Sequence, residues 1–253
     1  MGTIKGEKCL VALVLCVVFI LGITGFVLPQ DRNMNKAGVR KILNIAHRGA
    51  RSVAPENTLV AARKAHEAGA DMWEFDVQLT GDRRLVVIHD DTLLRTTDVE
   101  KVFPGRGGYR VDGFDFAEIR RLDAGSWYED KDPFGEIDKG NVTSEELKDF
   151  RGVKIPSIRE ALVLTKELDW RANIEIKPIE GPAILVEKLS SVVLEKIVET
   201  VNNLGLASRV VVSSFDHKLI KDLHRIDPGI TGALLVEKPV SDPAGHLRFH
   251  NSS

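Results

Sequence analysis

Polar and apolar residues alternate along 72–79, Met-Trp-Glu-Phe-Asp-Val-Gln-Leu, with the period of two that marks a β-strand. Shorter apolar runs at 42–47, 85–89, 171–178, 209–215 and 230–237 predict five further strands. Between them, apolar residues recur three and four apart over 57–68, 157–168, 190–205 and 217–227, and each stretch predicts a helix. Gly69 and Gly205 stand where two of these helices should stop. Strands alternating with helices are the signature of a parallel α/β sheet. The rhythm lapses over 91–155, which is rich in Asp, Gly and aromatic residues. That stretch reads as an insertion with short helices at about 115–121 and 143–150. Six strands fall short of the eight that close a (β/α)₈ barrel. The pattern therefore predicts an open sheet, curved as in a barrel, with its charged residues at the carboxyl end of the strands.

Residues 9–28 break from this pattern. They form a 20-residue run without a charge, preceded by Lys5 and Lys8 and long enough to cross a bilayer as a helix. The expected organisation is a membrane anchor or signal segment at 1–30, a polar linker at 31–41 and one folded domain at 42–253. A retained single-pass anchor with the domain outside the cytoplasm is the leading reading; secretion after cleavage is its alternative, and a buried core helix is a third. Basic residues lie on both sides of the run, so the flanking charge does not set an orientation.

Charge narrows the partners. There are 35 Lys and Arg against 37 Asp and Glu, a formal net charge of −2. A nucleic-acid-binding chain would show a basic excess, so no nucleic-acid partner is expected. The two cysteines, Cys9 and Cys16, both fall in the apolar run, which leaves no disulfide scaffold and no Cys-rich zinc site.

The strand at 72–79 carries the first candidate chemistry. Glu74 and Asp76 are two residues apart and share one face, while Trp73, Phe75 and Val77 share the other. Paired carboxylates on a buried face need a positive partner, and oxygen-rich sites suit a hard divalent cation, Mg²⁺ or Ca²⁺. The plainer reading is an edge strand with a solvated acidic face. Glu175 and Lys177 repeat the device on the strand at 171–178, where the Lys is either a structural ion-pair partner or a stabiliser of developing negative charge. His47 and His89 each end a strand, where parallel α/β folds place their sites, and His moves protons near neutral pH. Arg48 follows His47 and has the fork geometry that binds phosphate.

The run from Ile45 to Asp90 resembles the N-terminal core of the glycerophosphodiester phosphodiesterase family. Its matching pieces are His47-Arg48-Gly49, Pro55-Glu56-Asn57-Thr58, Glu74-x-Asp76 and His89-Asp90. Leu93-Leu94-Arg95-Thr96-Thr97, Ile155-Pro156-Ser157-Ile158 and Asn173-Ile174-Glu175-Ile176-Lys177 continue the likeness in order, over about residues 42–240. The resemblance implies a TIM-barrel fold with a small insertion after the third strand. It implies metal-dependent hydrolysis of a glycerophosphodiester to glycerol 3-phosphate and an alcohol, in lipid and glycerol metabolism. Carried over, Glu74, Asp76 and Glu175 would hold one divalent cation, and His47 and His89 would be general acid and base. Arg48 and Lys177 would contact phosphate, and Phe215 would line the glycerol side. A lysophospholipid is the alternative substrate, and a catalytically dead, membrane-anchored phosphate binder the alternative from another class. Members of the family continue through two more strands, so the resemblance also implies that the C-terminal strands are missing here.

Overall fold

The computed structural model describes residues 42–179 and 181–238. The apolar run at 9–28, the linker at 31–41 and the polar tail beyond 238 lie outside the described residues. Among the described residues, no helix is long and apolar enough to cross a membrane.

The chain opens with β1 (Ile45–Ala46), α1 (Leu59–Glu67), β2 (Met72–Leu79) and β3 (Leu85–Val87). An insertion follows with short helices α2 (Val99–Val102), α3 (Phe116–Ile119), α4 (Trp127–Lys131) and α5 (Ser144–Phe150). The regular alternation resumes with α6 (Ile158–Glu167), β4 (Ala172–Ile176), α7 (Ala183–Leu204), β5 (Val210–Ser214), α8 (His217–Ile226) and β6 (Thr231–Leu234). The parallel strands run in the order β1-β2-β4-β5-β6, with helices packed on one face as in barrels of the TIM type.

The strand at 85–89 departs from the expected parallel pattern. β3 is antiparallel to β2, with Leu79 opposite Leu85 and Val77 opposite Val87. The turn between them is closed by the Thr80 N–H donating to the Arg84 carbonyl at 2.9 Å, and Arg83 there has a φ of 59°. A turn of this length returns the chain antiparallel beside the strand it left. β3 lies on the same edge of β2 as β1, because Trp73 pairs Ala46 and Ala172 on opposite sides while Val77 pairs Val87 and Ile176. Among the described residues, no pairing joins β6 to β1.

Alternation divides the sheet into two faces. Trp73, Phe75, Val77, Ile174, Ile176, Val210 and Val212 are buried against α1, α6, α7 and α8 in the main core. Each such side chain contributes about 1.5–3 kcal/mol by leaving water. Trp73 Nε1 donates to Thr165 Oγ1 at 2.9 Å, which satisfies the one polar atom of the largest core residue. The opposite face carries Glu74, Asp76, Asn173, Glu175 and Ser213. Register partners share a face, and Glu74 lies beside Asn173, Asp76 beside Glu175, and Glu175 beside Ser213.

The 91–155 insertion folds around cores of its own. Val86, Ile88 and Leu93 bury with Phe114, Ile119 and Leu122, while Ala54 and Ala61 bury with Tyr128, Leu147 and Phe150. Helices begin where capping is encoded: Thr143 with Glu146, and Ser157 with Glu160, form capping boxes.

Candidate active site

The loop after β1 turns sharply enough to aim its backbone at β2. Arg48 and Gly49 both have positive φ, 59° and 76°. A Cβ on Gly49 would stand 2.7 Å from the Ala61 carbonyl carbon, so the close approach of this loop to α1 requires glycine. The turn lets the Arg48 N–H donate to Glu74 Oε2 at 2.7 Å. His47, half exposed, places Nε2 3.8 Å from the same oxygen.

Three carboxylates meet on the inner face. Glu74, Asp76 and Glu175 are buried, and one oxygen of each lies within 4.8 Å of the others. The solvated edge strand is therefore overturned: β2 is flanked on both edges, and Asp76 is 0% exposed. Lys177 Nζ sits 2.7 Å from Asp76 Oδ1 and also pairs with Glu175. Arg48 Nε lies 3.5 Å from Asp76 Oδ2. Two cations thus face three buried carboxylates, and the second of them is shared with Glu56. The residual negative charge shows in Glu74. Burial, followed by the charges of Asp76 and Glu175, pushes its carboxyl up to about 8 against the opposing Arg48 N–H. Burial would lower the Lys177 ammonium, but Asp76 and Glu175 outweigh it and raise it. Burial and the charges of Arg48 and Arg51 lower the His47 imidazole.

The donor set fits a hard divalent cation. Glu74 Oε1, Asn173 Oδ1 and Ser213 Oγ are buried oxygens without a hydrogen-bond partner, on three neighbouring strands. Buried oxygens are normally satisfied, and a set of carboxylate, amide and hydroxyl oxygens is the ligand chemistry of Mg²⁺ and Ca²⁺.

Around this cluster an ionic network links the expected Arg48 and His89 through residues outside the expected set, among them Glu56, Asp90 and Arg95. Asn57 Nδ2 donates to Asp76 Oδ2 at 2.8 Å. Glu56 accepts from Arg48 Nη1 at 3.0 Å and from both terminal nitrogens of Arg95, at 2.8 and 3.1 Å. Arg95 reaches on to Asp90, and Asp90 Oδ1 lies 2.7 Å from His89 Nδ1. Burial would raise the Glu56 carboxyl, but its bonds to Arg95 and Arg48 hold it below the usual range. Glu56, Asn57, Asp90 and Arg95 belong to the motifs that carried the resemblance, which was the only signal for them in the sequence.

The eight expected residues sit at the carboxyl end of the strands or on the inner face. Seven of them lie in or beside the charged cluster and its network. Phe215, one residue past β5, is 43% exposed and stands outside the network. A cavity of about 640 Å³ opens beside His89 and Lys177 and is walled by Gln78, Val111, Ile179 and Leu185.

Known proteins resemble this chain in sequence and in fold. The sequence profile of the glycerophosphoryl diester phosphodiesterase family matches residues 47–251. A glycerophosphodiester phosphodiesterase of Caldanaerobacter subterraneus subsp. tengcongensis is 35% identical over 203 residues, 80% of this chain and 70% of that protein. One from Bacillus subtilis is 30% identical over 227 residues, 87% of this chain and 69% of that protein. Among solved structures, an Oleispira antarctica phosphodiesterase in complex with the product sn-glycerol-3-phosphate superposes with a TM-score of 0.63 at 28% identity, over 82% of this chain and 71% of that one. A glycerophosphodiester phosphodiesterase from Agrobacterium tumefaciens gives 0.55 at 30% identity, over 76% and 66%. The chain thus spans about two thirds of the length of these relatives. A match that begins at His47, directly after β1, and runs through β2 to β6 makes this chain a member of the glycerophosphoryl diester phosphodiesterase family.

Proposed function

We propose that the domain hydrolyses glycerophosphodiesters to glycerol 3-phosphate and an alcohol, with one divalent cation, Mg²⁺ or Ca²⁺, held by Glu74, Asp76 and Glu175. The observation that carries this reading is the buried triad of carboxylates, with partnerless oxygens beside it and a Lys across it. When bound, the cation supplies Lewis-acid charge stabilisation at a phosphoryl oxygen. Lys177 and the Arg48 guanidinium present positive charge to the remaining phosphoryl oxygens. His47 and His89 are the acid–base pair: one imidazole accepts the proton of the attacking oxygen, and the other protonates the alcohol oxygen as its bond to phosphorus breaks. The attacking oxygen is that of water or the substrate's own 2-hydroxyl. Phe215 lines the glycerol side. The reaction belongs to lipid and glycerol metabolism, and a lysophospholipid is the alternative substrate.

The test is direct. The purified chain with Mg²⁺ or Ca²⁺ should release sn-glycerol 3-phosphate from glycerophosphocholine, and EDTA should stop it. Release that persists in excess EDTA would remove the cation from the mechanism. No release from any short glycerophosphodiester, with lysophosphatidylcholine cleaved instead, would move the reading to the lipid substrate.

The run at 9–28 supports a second proposal, a single-pass anchor with the domain outside the cytoplasm. Full-length chain should fractionate with membranes, and chain lacking residues 1–30 should not. Recovery of uncleaved full-length chain in the soluble fraction would oppose it.

A further inference from the structure

The ionic network beside the triad joins parts of the site that are far apart in sequence. It runs from Arg48 through Glu56 and Arg95 to Asp90 and His89, bridging 39 positions at its longest bond. Arg95 is held throughout. Its Nε donates to Asp90 Oδ2 at 2.7 Å, its Nη2 to Asp90 Oδ1 at 2.9 Å and Glu56 Oε1 at 2.8 Å, and its Nη1 to Glu56 Oε2 at 3.1 Å. With its fork engaged on both carboxylates, Arg95 is built to hold other groups rather than to take phosphate itself. Glu56 is in turn shared, because it also accepts from Arg48.

We propose that Asp90, Arg95 and Glu56 are positioning residues that fix the tautomer and direction of His89 and hold Arg48 in register with it. This deepens the phosphodiesterase reading and rests on it for the identity of the reaction. Two Arg95 N–H groups on Asp90 keep it a carboxylate, and its pKa is drawn well below the usual range by His89 and Arg95. An ionised carboxylate only accepts. The 2.7 Å contact therefore requires the proton of neutral His89 on Nδ1, which leaves Nε2 free for the reacting oxygen. Gln78 Nε2 donates to the His89 carbonyl at 3.1 Å and steadies the backbone under the ring. The logic is that of any imidazole whose second nitrogen is oriented by a carboxylate.

The network also explains why Glu56 lies buried between two arginines. One carboxylate bound to both Arg48 and Arg95 ties the phosphate-facing cation on the β1 loop to the acid–base group after β3. Loss of Glu56 should release both at once, whereas loss of Asp90 should release His89 alone.

Three variants of the full chain test this: Asp90→Asn, Asp90→Glu and Glu56→Gln. Asp90→Asn offers Nδ1 an amide whose N–H₂ can donate, so His89 can move its proton to Nε2. The expected result is a fall in kcat of at least about tenfold with KM changed by less than about twofold. Asp90→Glu, which keeps the charge, should recover part of the loss. Glu56→Gln should lower kcat and raise KM together. Thermal melts identify any variant that fails to fold, and Asp90, a quarter exposed, is the safer site. The ¹⁵N shifts of the His89 imidazole report its tautomer without turnover, so they decide this inference even if the wild-type chain cleaves no glycerophosphodiester. Nδ1–H in the wild type and its loss in Asp90→Asn support it. A His89 tautomer unchanged in folded Asp90→Asn, or a kcat unchanged in that variant, would overturn it.

Discussion

Asn57 and Asp76 clasp one another: the Asn57 amide donates to Asp76 Oδ2 at 2.8 Å, and its oxygen accepts the Asp76 N–H at 3.2 Å. The pair fixes one oxygen of a buried carboxylate and leaves the other facing Lys177. Asn57→Asp keeps the shape and tolerates the same φ of 57°, so it isolates charge from backbone strain. It would set two carboxylates in contact inside the fold. We expect a loss of at least about 3 kcal/mol at pH 7, the scale of an uncompensated buried charge. Urea unfolding in EDTA measures it, and equal midpoints for variant and wild type would show that the clasp carries no such burden.

The carboxylate cluster predicts an inverted stability response. Glu74 is pushed up to about 8 by burial and by its neighbours' charge, so the cation-free triad opposes its own ionisation. Glu74→Gln removes that conflict together with one ligand. In EDTA the variant should melt at or above the wild-type temperature. Millimolar Mg²⁺ or Ca²⁺ should raise the wild-type melting temperature but not that of the variant, because ligands stabilise only the state that binds them. A variant that responds to cation as the wild type does would remove Glu74 from the ligand set.

For the histidines, turnover and cation binding should separate. His47→Ala and His89→Ala should each lower kcat by at least about 10²-fold, the usual scale of general acid–base catalysis. Cation affinity, measured by calorimetry, should stay near wild type because neither ring is assigned as a ligand. Either variant with full turnover would drop out of the mechanism.

The inner-face chemistry was legible because strand alternation is local. The i, i+2 spacing of Glu74 with Asp76, and of Glu175 with Lys177, puts each pair on one face without knowledge of the fold. The direction of β3 was not read from the apolar run at 85–89, because a buried run looks alike in either direction. The Gly81-Asp82 turn was the clue that the chain doubles back. The start of α7 was missed because Ile184 is 83% exposed and Leu185 44%, so apolar residues there fall on the solvent side and blur the period. The helices of the insertion run four to seven residues. That is too short for a stripe to repeat, and only the polar starts near 115 and 143 marked two of them. Glu56 and Arg95 meet through folding alone, across 39 positions.

Gly49 tests the backbone beneath the site. Its φ of 76° and the 2.7 Å approach of a built Cβ to the Ala61 carbonyl carbon leave no room for a side chain. Gly49→Ala should cost at least about 2 kcal/mol from strain and overpacking combined. It should also move the Arg48 N–H from Glu74 and weaken cation binding. A stable Gly49→Ala with wild-type cation affinity would show that the loop position tolerates what its geometry forbids.

The contact between Lys64 on α1 and Glu146 on α5 ties the insertion to the main sheet, and its pH dependence has a definite sign. Glu146 accepts from Lys64 and, through its capping box, from the Thr143 N–H at 2.7 Å and hydroxyl at 2.8 Å. The Lys64 bond, then the two from Thr143, hold its carboxyl down to about 2 from an ordinary 4.5. A folded value below the unfolded one means stability that is complete above about 4.5 and lost as pH falls toward 2. Glu146 is a third exposed, so solvent screens the pair, and its worth should be about 1 kcal/mol or less. Glu146→Gln keeps the capping bond to Thr143 N–H and removes only the charge. At pH 7 its melting temperature should fall by about 2–4 °C, as about 1 kcal/mol does in a domain of this size. The gap should narrow below about pH 4.5 and close only as pH approaches about 2. Lys64→Met should reproduce the pH 7 loss, and the double variant should lose little more than either alone. A gap that stays constant from pH 7 to pH 3, or additive losses in the double variant, would mean that the contact does not hold the insertion through its charge.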